Sequence, residues 1–213
     1  MTGASRGPSP RGHPADDGDG ITVRRATAND LDAVVSLRIA LLREYREHPI
    51  YGRLRPDAES RARPIFASQL DSEREAIFIA EDARHVAIGM LRCVESVSSP
   101  LLVPDRYCYV SSVYVRPDFR RRGILRRLFE RAQDWCRERG LAEMRLHNVG
   151  TSSTSAAVWD AFGFEVVEQV RLLRLDDAAD QPRVTDSAAS SVAQATSLPP
   201  APPPPPTPPT PRP

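Results

Sequence analysis

The stretch YVSSVYVRPDFRRRGILRRL, residues 109–128, is the most informative part of this sequence. Its first half is rich in β-branched and aromatic residues, which is typical of a strand, and Pro117 follows this run closely. Gly123 stands after an arginine-rich turn, at the point where a helix is predicted to begin. This layout brings unpaired backbone N–H groups and the positive end of a helix dipole together. It therefore predicts a binding site for a pyrophosphate.

The turn itself carries the predicted binding groups. The N–H groups of residues 121–126 are expected to wrap the pyrophosphate, Gly123 allows close approach of the backbone, and arginine side chains reach the phosphates. The alternative interpretation is a solvated basic helix start that binds nothing. The agreement of strand, proline turn and helix favours the anion site.

Composition excludes several classes of protein. The 213 residues carry 29 Lys+Arg and 28 Asp+Glu, a formal net charge of +1, so the chain has no global field to hold nucleic acid or an anionic membrane. The 3 cysteines lack C-x-x-C spacing, and neither a disulfide framework nor a metal site is predicted. No run approaches ~18 apolar residues, and the start lacks a signal-peptide core. We therefore expect a soluble cytoplasmic protein.

Three regions follow one another along the chain. Residues 1–19 are predicted to be a disordered tail, and residues 20–175 a single folded domain. Residues 176–213 are predicted to be a second disordered tail, first rich in Ala and Ser and then in Pro. The proline run favours extended polyproline II, a conformation that SH3-like domains recognise in their partners.

Periodicity and turn signals predict the elements of the domain. Thr27 and Asp30 indicate a capping box before the first helix, and Pro64 weakens the prediction of the second. Strands are predicted over residues 21–26, 76–80, 85–94, 107–115, 141–147 and 164–175, and helices over 31–48, 57–70, 123–139 and 154–162. Residues 76–94 are expected to form a hairpin. This order predicts an α/β (α+β) fold, a mixed sheet covered by helices.

Two segments resemble motifs of the GNAT superfamily of N-acetyltransferases. Residues 115–124 match V-x-P-x-x-R-R-x-G-I, which is similar to the acetyl-CoA motif of that family. Residues 158–164, VWDAFGF, resemble its L-Y-x-x-x-G-F segment. The resemblance covers residues 21–175 and implies a mostly antiparallel, twisted sheet with a splayed central strand pair.

The resemblance also implies acetyl-CoA as acetyl donor, no metal, and transfer to a primary amine by direct attack in a ternary complex. The implied cofactor-binding residues are Val113, Tyr114 and Val115 for the pantetheine arm, Arg120, Arg121, Arg122, Gly123, Ile124, Leu125 and Arg126 for the pyrophosphate, and Ser152 beside the arm. Leu125 departs from the small residue of the family motif. Ser152 replaces an asparagine, so its hydrogen bond has less reach.

The catalytic residues stay unassigned. Trp159 falls where the family often has a tyrosine that protonates the leaving thiolate, and an indole N–H is no acid at neutral pH. The open alternatives for the acid are water, Ser152, Ser155, Tyr109 and Tyr114, and those for the base are Glu44, Glu47, Glu81 and His147. The cysteines Cys93, Cys108 and Cys136 sit in apolar patterns and are expected in the core.

Two other functions remain open. One is a catalytically silent module that binds or senses acyl-CoA, which the missing tyrosine keeps in play. The other is an interaction protein whose folded part presents the proline-rich tail. The acceptor, a small-molecule or peptide amine, cannot be identified from the first helix or from the loops at residues 49–64 and 96–105.

Overall fold

The computed structural model describes residues 20–149 and 153–174. The strands are β1 (Thr22–Arg25), β2 (Glu75–Glu81), β3 (Ala87–Val97), β4 (Arg106–Val115) and β5 (Met144–Leu146), and the helices are α1 (Leu31–Glu44), α2 (Ala58–Asp71), α3 (Ile124–Glu138) and α4 (Ser153–Ala161). Short 3₁₀ turns lie at Ala28–Asp30 and Pro117–Phe119. The described chain divides into one unit of residues 20–96 and 106–147, and a second of residues 97–105, 148–149 and 153–174. Both predicted tails lie outside the described residues.

The first unit is built around a five-stranded sheet in the order β1-β2-β3-β4-β5. β1 pairs with β2, and β2 with β3, in antiparallel fashion, so the predicted hairpin is confirmed. The contacts between β3 and β4 also run antiparallel, from Ile88 with Arg116 to Glu95 with Arg106. β5 is parallel to β4. The prediction of a mixed, mostly antiparallel sheet flanked by helices is confirmed.

The start of α1 is held by polar contacts. The predicted capping box is present, with the Thr27 N–H donating to Asp30 Oδ2 at 2.7 Å. Arg24 on β1 donates to both Asp30 oxygens and also to Glu81 on β2. The hydrogen bonds from Arg24 lower the pKa of Asp30 to about 2. Glu81 is buried in this network at the β1 edge of the sheet, so it is not a surface charge near β4.

One face of the sheet packs against α1 and α2. The buried side chains on this side come from α1, α2, β2, β3, β4 and the residue after β1, namely Ala26, Val34, Val35, Leu37, Ile39, Leu41, Ala62, Phe66, Ile77, Ile79, Met90 and Tyr114. Pro64 lies inside α2, where it removes one backbone hydrogen bond. The burial of Ala62 and Phe66 on either side of it supplies the packing that outweighs this loss.

α3 contacts β1, β2 and β4. Its apolar side is buried as the spacing predicts, and Gly140 ends it with a φ of 66°, a left-handed conformation that favours glycine. Cys93, Cys108 and Cys136 are free and buried, so their prediction as core residues is confirmed. The contact with Cys108, together with burial, raises the pKa of the Cys136 thiol, which therefore stays protonated.

Several boundaries differ from the predictions. The closing strand predicted over residues 164–175 is wrong, because residues 164–174 adopt no strand structure. Val166, Val167 and Val170 there are exposed, at 84%, 81% and 71%. Their β-branched pattern indicates strand propensity, but a strand also needs a partner for its backbone hydrogen bonds. α1 ends at Glu44 rather than residue 48, since the chain then tightens into successive turns.

None of the described helices combines the length and the apolar character needed to cross a bilayer.

Candidate active site

The arginine loop, residues 116–126, joins β4 to α3. Arg121 has a φ of 60° and Gly123 a φ of 75°, so the chain passes twice through the left-handed region before the helix begins. The first hydrogen bond of the helix runs from Arg127 N–H to the Gly123 carbonyl at 3.1 Å. The amides of Ile124 and Leu125 therefore lie ahead of the intrahelical ladder. They form the N-terminal end of a 15-residue helix, where an anion is stabilised.

Gly123 faces open space. Apart from its two chain neighbours, no described residue has an atom within 4 Å of the position that a Cβ of residue 123 would take, so the space beside its backbone is open. Glycine is required there by its positive φ, and its missing side chain also leaves the loop amides accessible to a ligand. Arg121, Arg122 and Arg126 are exposed around this point.

Arg120, which is also exposed, pairs with a residue outside the arginine loop. Its Nη2 lies 2.7 Å from both carboxylate oxygens of Glu44, its Nε donates to the Val115 carbonyl at 2.9 Å, and its guanidinium lies 5.8 Å from the centre of the Tyr114 ring. The side chain is thus directed toward the end of α1. Glu44 stands 76 residues away along the chain, and no local pattern indicates this pair.

The sheet opens between β4 and β5. The two strands pair only at Cys108 with Met144, Tyr109 with Arg145 and Val110 with Leu146. Among the described residues, no ladder to β5 continues along residues 111–115 of β4. The short ladder agrees with the predicted splay, although β5 is the end strand of the described sheet rather than a central one. Residues 113–115 of β4 therefore have no neighbouring strand on that side among the described residues, directly before the arginine loop.

β4 also changes direction at Ser112. This residue has a φ of 52°, which is rare for a side chain other than glycine. Tyr109 and Ser111 point toward α1 and Arg92, yet Tyr114 also belongs to the core beneath α1. The alternation therefore shifts by one residue at Ser112, as in a β-bulge. In consequence the Tyr114 ring is buried against α1, and only its backbone borders the open edge.

A tyrosine and a histidine meet where β4 and β5 separate. The Tyr109 hydroxyl lies 3.0 Å from His147 Nδ1, and the two rings pack edge to face at 5.4 Å. Burial is the main cause that raises the pKa of Tyr109 above its ordinary value. The phenol is therefore protonated at neutral pH and can donate a proton. The sequence indicated both residues separately as candidates but gave no sign of the contact.

A cavity of about 400 Å³ lies between α1 and α2, over β3 and β4, and is called here the α1–α2 cavity. Ser112 contributes to its lining, so the cavity borders β4 beside Val113. Gln69 also lines it, and its Oε1 is buried without a hydrogen-bond partner among the described residues. The charged side chains of the lining are all arginines: Arg38, Arg53, Arg55, Arg61 and Arg92.

The other predicted residues belong to other segments of the chain or fall outside the described residues. Trp159 packs against Phe162 and Phe164 within the second unit, with ring centres 6.1 Å and 5.6 Å away. The Ser155 hydroxyl donates to Asn148 Oδ1 at 2.6 Å in the same unit. Glu47 is exposed. Ser152 falls in the segment that the structure does not describe, so its predicted contact with the pantetheine arm stays a prediction.

Comparison with known proteins matches this architecture to one family. The model of the acetyltransferase (GNAT) family matches residues 38–164, more than half of the chain. No curated protein matches the chain in sequence.

Solved structures share the fold. A predicted acetyltransferase from Clostridium acetobutylicum, solved with acetyl-CoA, superposes with a TM-score of 0.61 at 20% identity, covering 74% of this chain and 97% of that one. The aminoglycoside antibiotic 6'-N-acetyltransferase AAC(6')-Ih from Acinetobacter baumannii superposes with a TM-score of 0.59 at 18% identity, covering 73% of this chain and 97% of that one. AAC(6')-Iy, in complex with the bisubstrate analog CoA-S-monomethyl-acetylneamine, superposes with a TM-score of 0.56 at 24% identity, covering 72% of this chain and 97% of that one.

Proposed function

The chain belongs to the acetyltransferase (GNAT) family, and we propose that it transfers an acetyl group from acetyl-CoA to a primary amine by direct attack in a ternary complex. The single observation that carries this proposal is the junction of β4 and α3. There the unpaired edge of β4 leads directly into a loop whose amides and open glycine suit a pyrophosphate.

The described residues fit acetyl-CoA as the donor. The edge of β4 offers the N–H and C=O groups of Val113 and the N–H group of Val115, which can pair with the amides of an extended pantetheine arm in the manner of an added strand. The amides of Ile124 and Leu125, together with the exposed Arg121 and Arg122, suit the pyrophosphate. Acetyl-CoA supplies an acetyl thioester that a neutral amine can attack.

Arg120 takes a positioning role in this proposal. Its contacts with Glu44 and with the Val115 carbonyl tie the start of the arginine loop to α1 and to the end of β4. Rigid placement of the loop matters because the rate of such a transfer depends on holding the two reactants in one geometry. We therefore assign the pyrophosphate contact at Arg120 to the backbone rather than to the guanidinium.

Tyr109 is the described residue best suited to supply a proton to the leaving thiolate. Its hydroxyl stands on β4 near the start of the splay, and the hydrogen bond with His147 Nδ1 holds its orientation. Its raised pKa keeps the proton on the oxygen across the neutral range. Trp159 has no such proton to give, and its ring is engaged with Phe162 and Phe164.

Thiol release from acetyl-CoA over a panel of primary amines tests the proposal. The panel contains amino acids, polyamines and peptides with free N-termini. It also contains aminoglycosides, because one of the similar structures is named an aminoglycoside antibiotic 6'-N-acetyltransferase. Release that depends on one class of amine supports the proposal, and a reaction without amine corrects for hydrolysis. Tight binding of acetyl-CoA without turnover on any amine would instead identify a silent binding module.

A further inference from the structure

The α1–α2 cavity has an unbalanced positive charge. Asp57 pairs with Arg55 and Arg61, at 3.4 Å and 2.5 Å, and Glu75 pairs with Arg92 at 2.7 Å. No described residue forms a hydrogen bond or an ion pair with the guanidinium of Arg38 or of Arg53. The lining arginines and their two acidic partners therefore leave a formal excess of three positive charges.

Arg38 is the more informative of the two unpaired side chains. It stands on α1 between the buried residues Leu37 and Ile39 and is itself only partly exposed. Burial is the main cause that lowers the pKa of its guanidinium, and the nearby charge of Arg92 acts in the same direction. Removing a cation from water beside a second cation costs free energy unless an anion offsets it. A guanidinium in such a place is suited to bind one.

The cavity lies beside the strand assigned to the donor. Ser112 belongs to its lining, and the next residue of β4, Val113, lies on the strand edge assigned to the pantetheine arm. The buried Gln69 Oε1 is an unsatisfied acceptor that a ligand N–H would pair. The cavity therefore combines groups suited to bind an anion with a wall that includes a residue of the donor strand.

We propose that the acceptor is a small primary amine that also carries an anionic group, a carboxylate or a phosphate, which the guanidiniums of Arg38 and Arg53 bind in the α1–α2 cavity. This inference rests on the proposed function. It predicts that polyamino sugars are poor acceptors, because a polycation meets an excess of like charge in this cavity.

Matched amines test the charge preference. 4-Aminobutyrate and butylamine have the same length and differ in the carboxylate, and O-phosphoethanolamine and ethylamine differ in the phosphate. We expect kcat/KM at least ~10-fold higher for an anionic member than for its neutral partner, with spermidine the poorest acceptor. The two anionic arms distinguish a carboxylate acceptor from a phosphate acceptor. Turnover of butylamine or spermidine that equals or exceeds that of both anionic amines would overturn the inference while leaving the proposed function standing.

Variants locate the preference. Arg38→Gln removes the charge and is expected to raise KM for the preferred anionic amine at least ~10-fold, with kcat and KM for acetyl-CoA little changed. Arg53→Gln gives an independent test if the first variant does not fold. The control is Arg43→Gln, since Arg43 is exposed on α1 and does not line the cavity. An equal loss with butylamine, or a raised KM for acetyl-CoA, would contradict the assigned role of Arg38.

Calorimetry covers the case in which no amine is turned over. The wild-type protein, saturated with CoA, is titrated with 4-aminobutyrate and with O-phosphoethanolamine. Binding of either one that Arg38→Gln weakens supports an anion site even though the proposed function has then failed. Absence of heat with both compounds would overturn the inference.

Discussion

The arginine loop and the α1–α2 cavity are both rich in arginine, but they are assembled in opposite ways. The loop is one continuous stretch, residues 116–126, and its proposed binding groups are backbone amides at a helix start. The cavity collects its guanidiniums from α1, from the segment that follows it, from α2 and from β3. Backbone groups that lie close together along the chain can be found from local spacing. A site made of distant side chains becomes visible only when the chain is folded.

The two regions should therefore fail in different ways when they are altered. Changes at the loop should weaken the binding of acetyl-CoA, whereas changes in the cavity should weaken the binding of the amine. A change at Tyr109, which belongs to neither region, should affect turnover rather than either binding step.

The largest expected effect is on Tyr109, the proposed proton donor. We expect Tyr109→Phe to lower kcat by about 10²-fold, the lower end of the range for general acids, with little change in either KM. Steady-state kinetics with acetyl-CoA and the best amine of the panel provide the measurement. Tyr107→Phe is the matched control, because Tyr107 lies on the same strand and packs against Arg145 instead. An unchanged kcat in Tyr109→Phe would show that the proton comes from another group or from water.

The next effect is on the loop. Gly123→Val places a branched side chain in the open space beside the loop amides, at a φ of 75° that valine rarely adopts. We expect acetyl-CoA affinity to fall at least tenfold, about 1.4 kcal/mol, by calorimetry. Gly140→Val is the control, since Gly140 has a φ of 66°, equally open surroundings and a place at the other end of α3. If both variants fold and bind acetyl-CoA equally well, the loop is not the pyrophosphate site.

A smaller effect belongs to neither region. Asp30→Asn keeps an oxygen for the Thr27 N–H but removes the charge that pairs with Arg24. We expect a loss of about 1 kcal/mol at pH 7, since Arg24 is partly exposed and the pair is screened. The pKa of Asp30 is lowered from 3.8 to about 2, so its stabilisation is complete above pH 4 and lost as the pH falls through 2.

Denaturant unfolding at several pH values measures this difference. The stabilities of wild type and Asp30→Asn should converge as the pH approaches 2, and a constant difference across the series would contradict the assignment. The affinity for acetyl-CoA should not change in this variant at neutral pH, because the substitution affects only the contacts of Arg24 that connect β1, β2 and the start of α1.

The smallest expected effect concerns the proline-rich tail. A chain that ends at Asp176 should melt within about 2 °C of the full length and keep both affinities, because the tail has few apolar residues to bury. Differential scanning calorimetry and the kinetic assay measure this. A raised amine KM in the shortened chain would place the tail at the acceptor site and weaken the assignment of the cavity.

The elements that sequence predicts well are those whose signals are local. The capping box at Thr27, the start of α3 at Gly123 and its end at Gly140 all follow from side chains and backbone angles within a few residues. The strand predicted over residues 164–175 is the counterexample. Its pattern is local too, but pairing depends on a neighbouring strand that the pattern cannot supply.

By itself, the sequence determined the order of the elements as far as α4, the family motif and the position of the loop proposed to bind the pyrophosphate, because all of these depend on neighbours along the chain. Only the tertiary structure decided the pair of Tyr109 with His147, the turn of Arg120 toward Glu44 and the charged lining of the cavity. The two pairs join residues that stand 38 and 76 positions apart along the chain. The cavity brings together five arginines from four segments. Their energies depend on burial and on distance in space, which spacing along a chain does not encode.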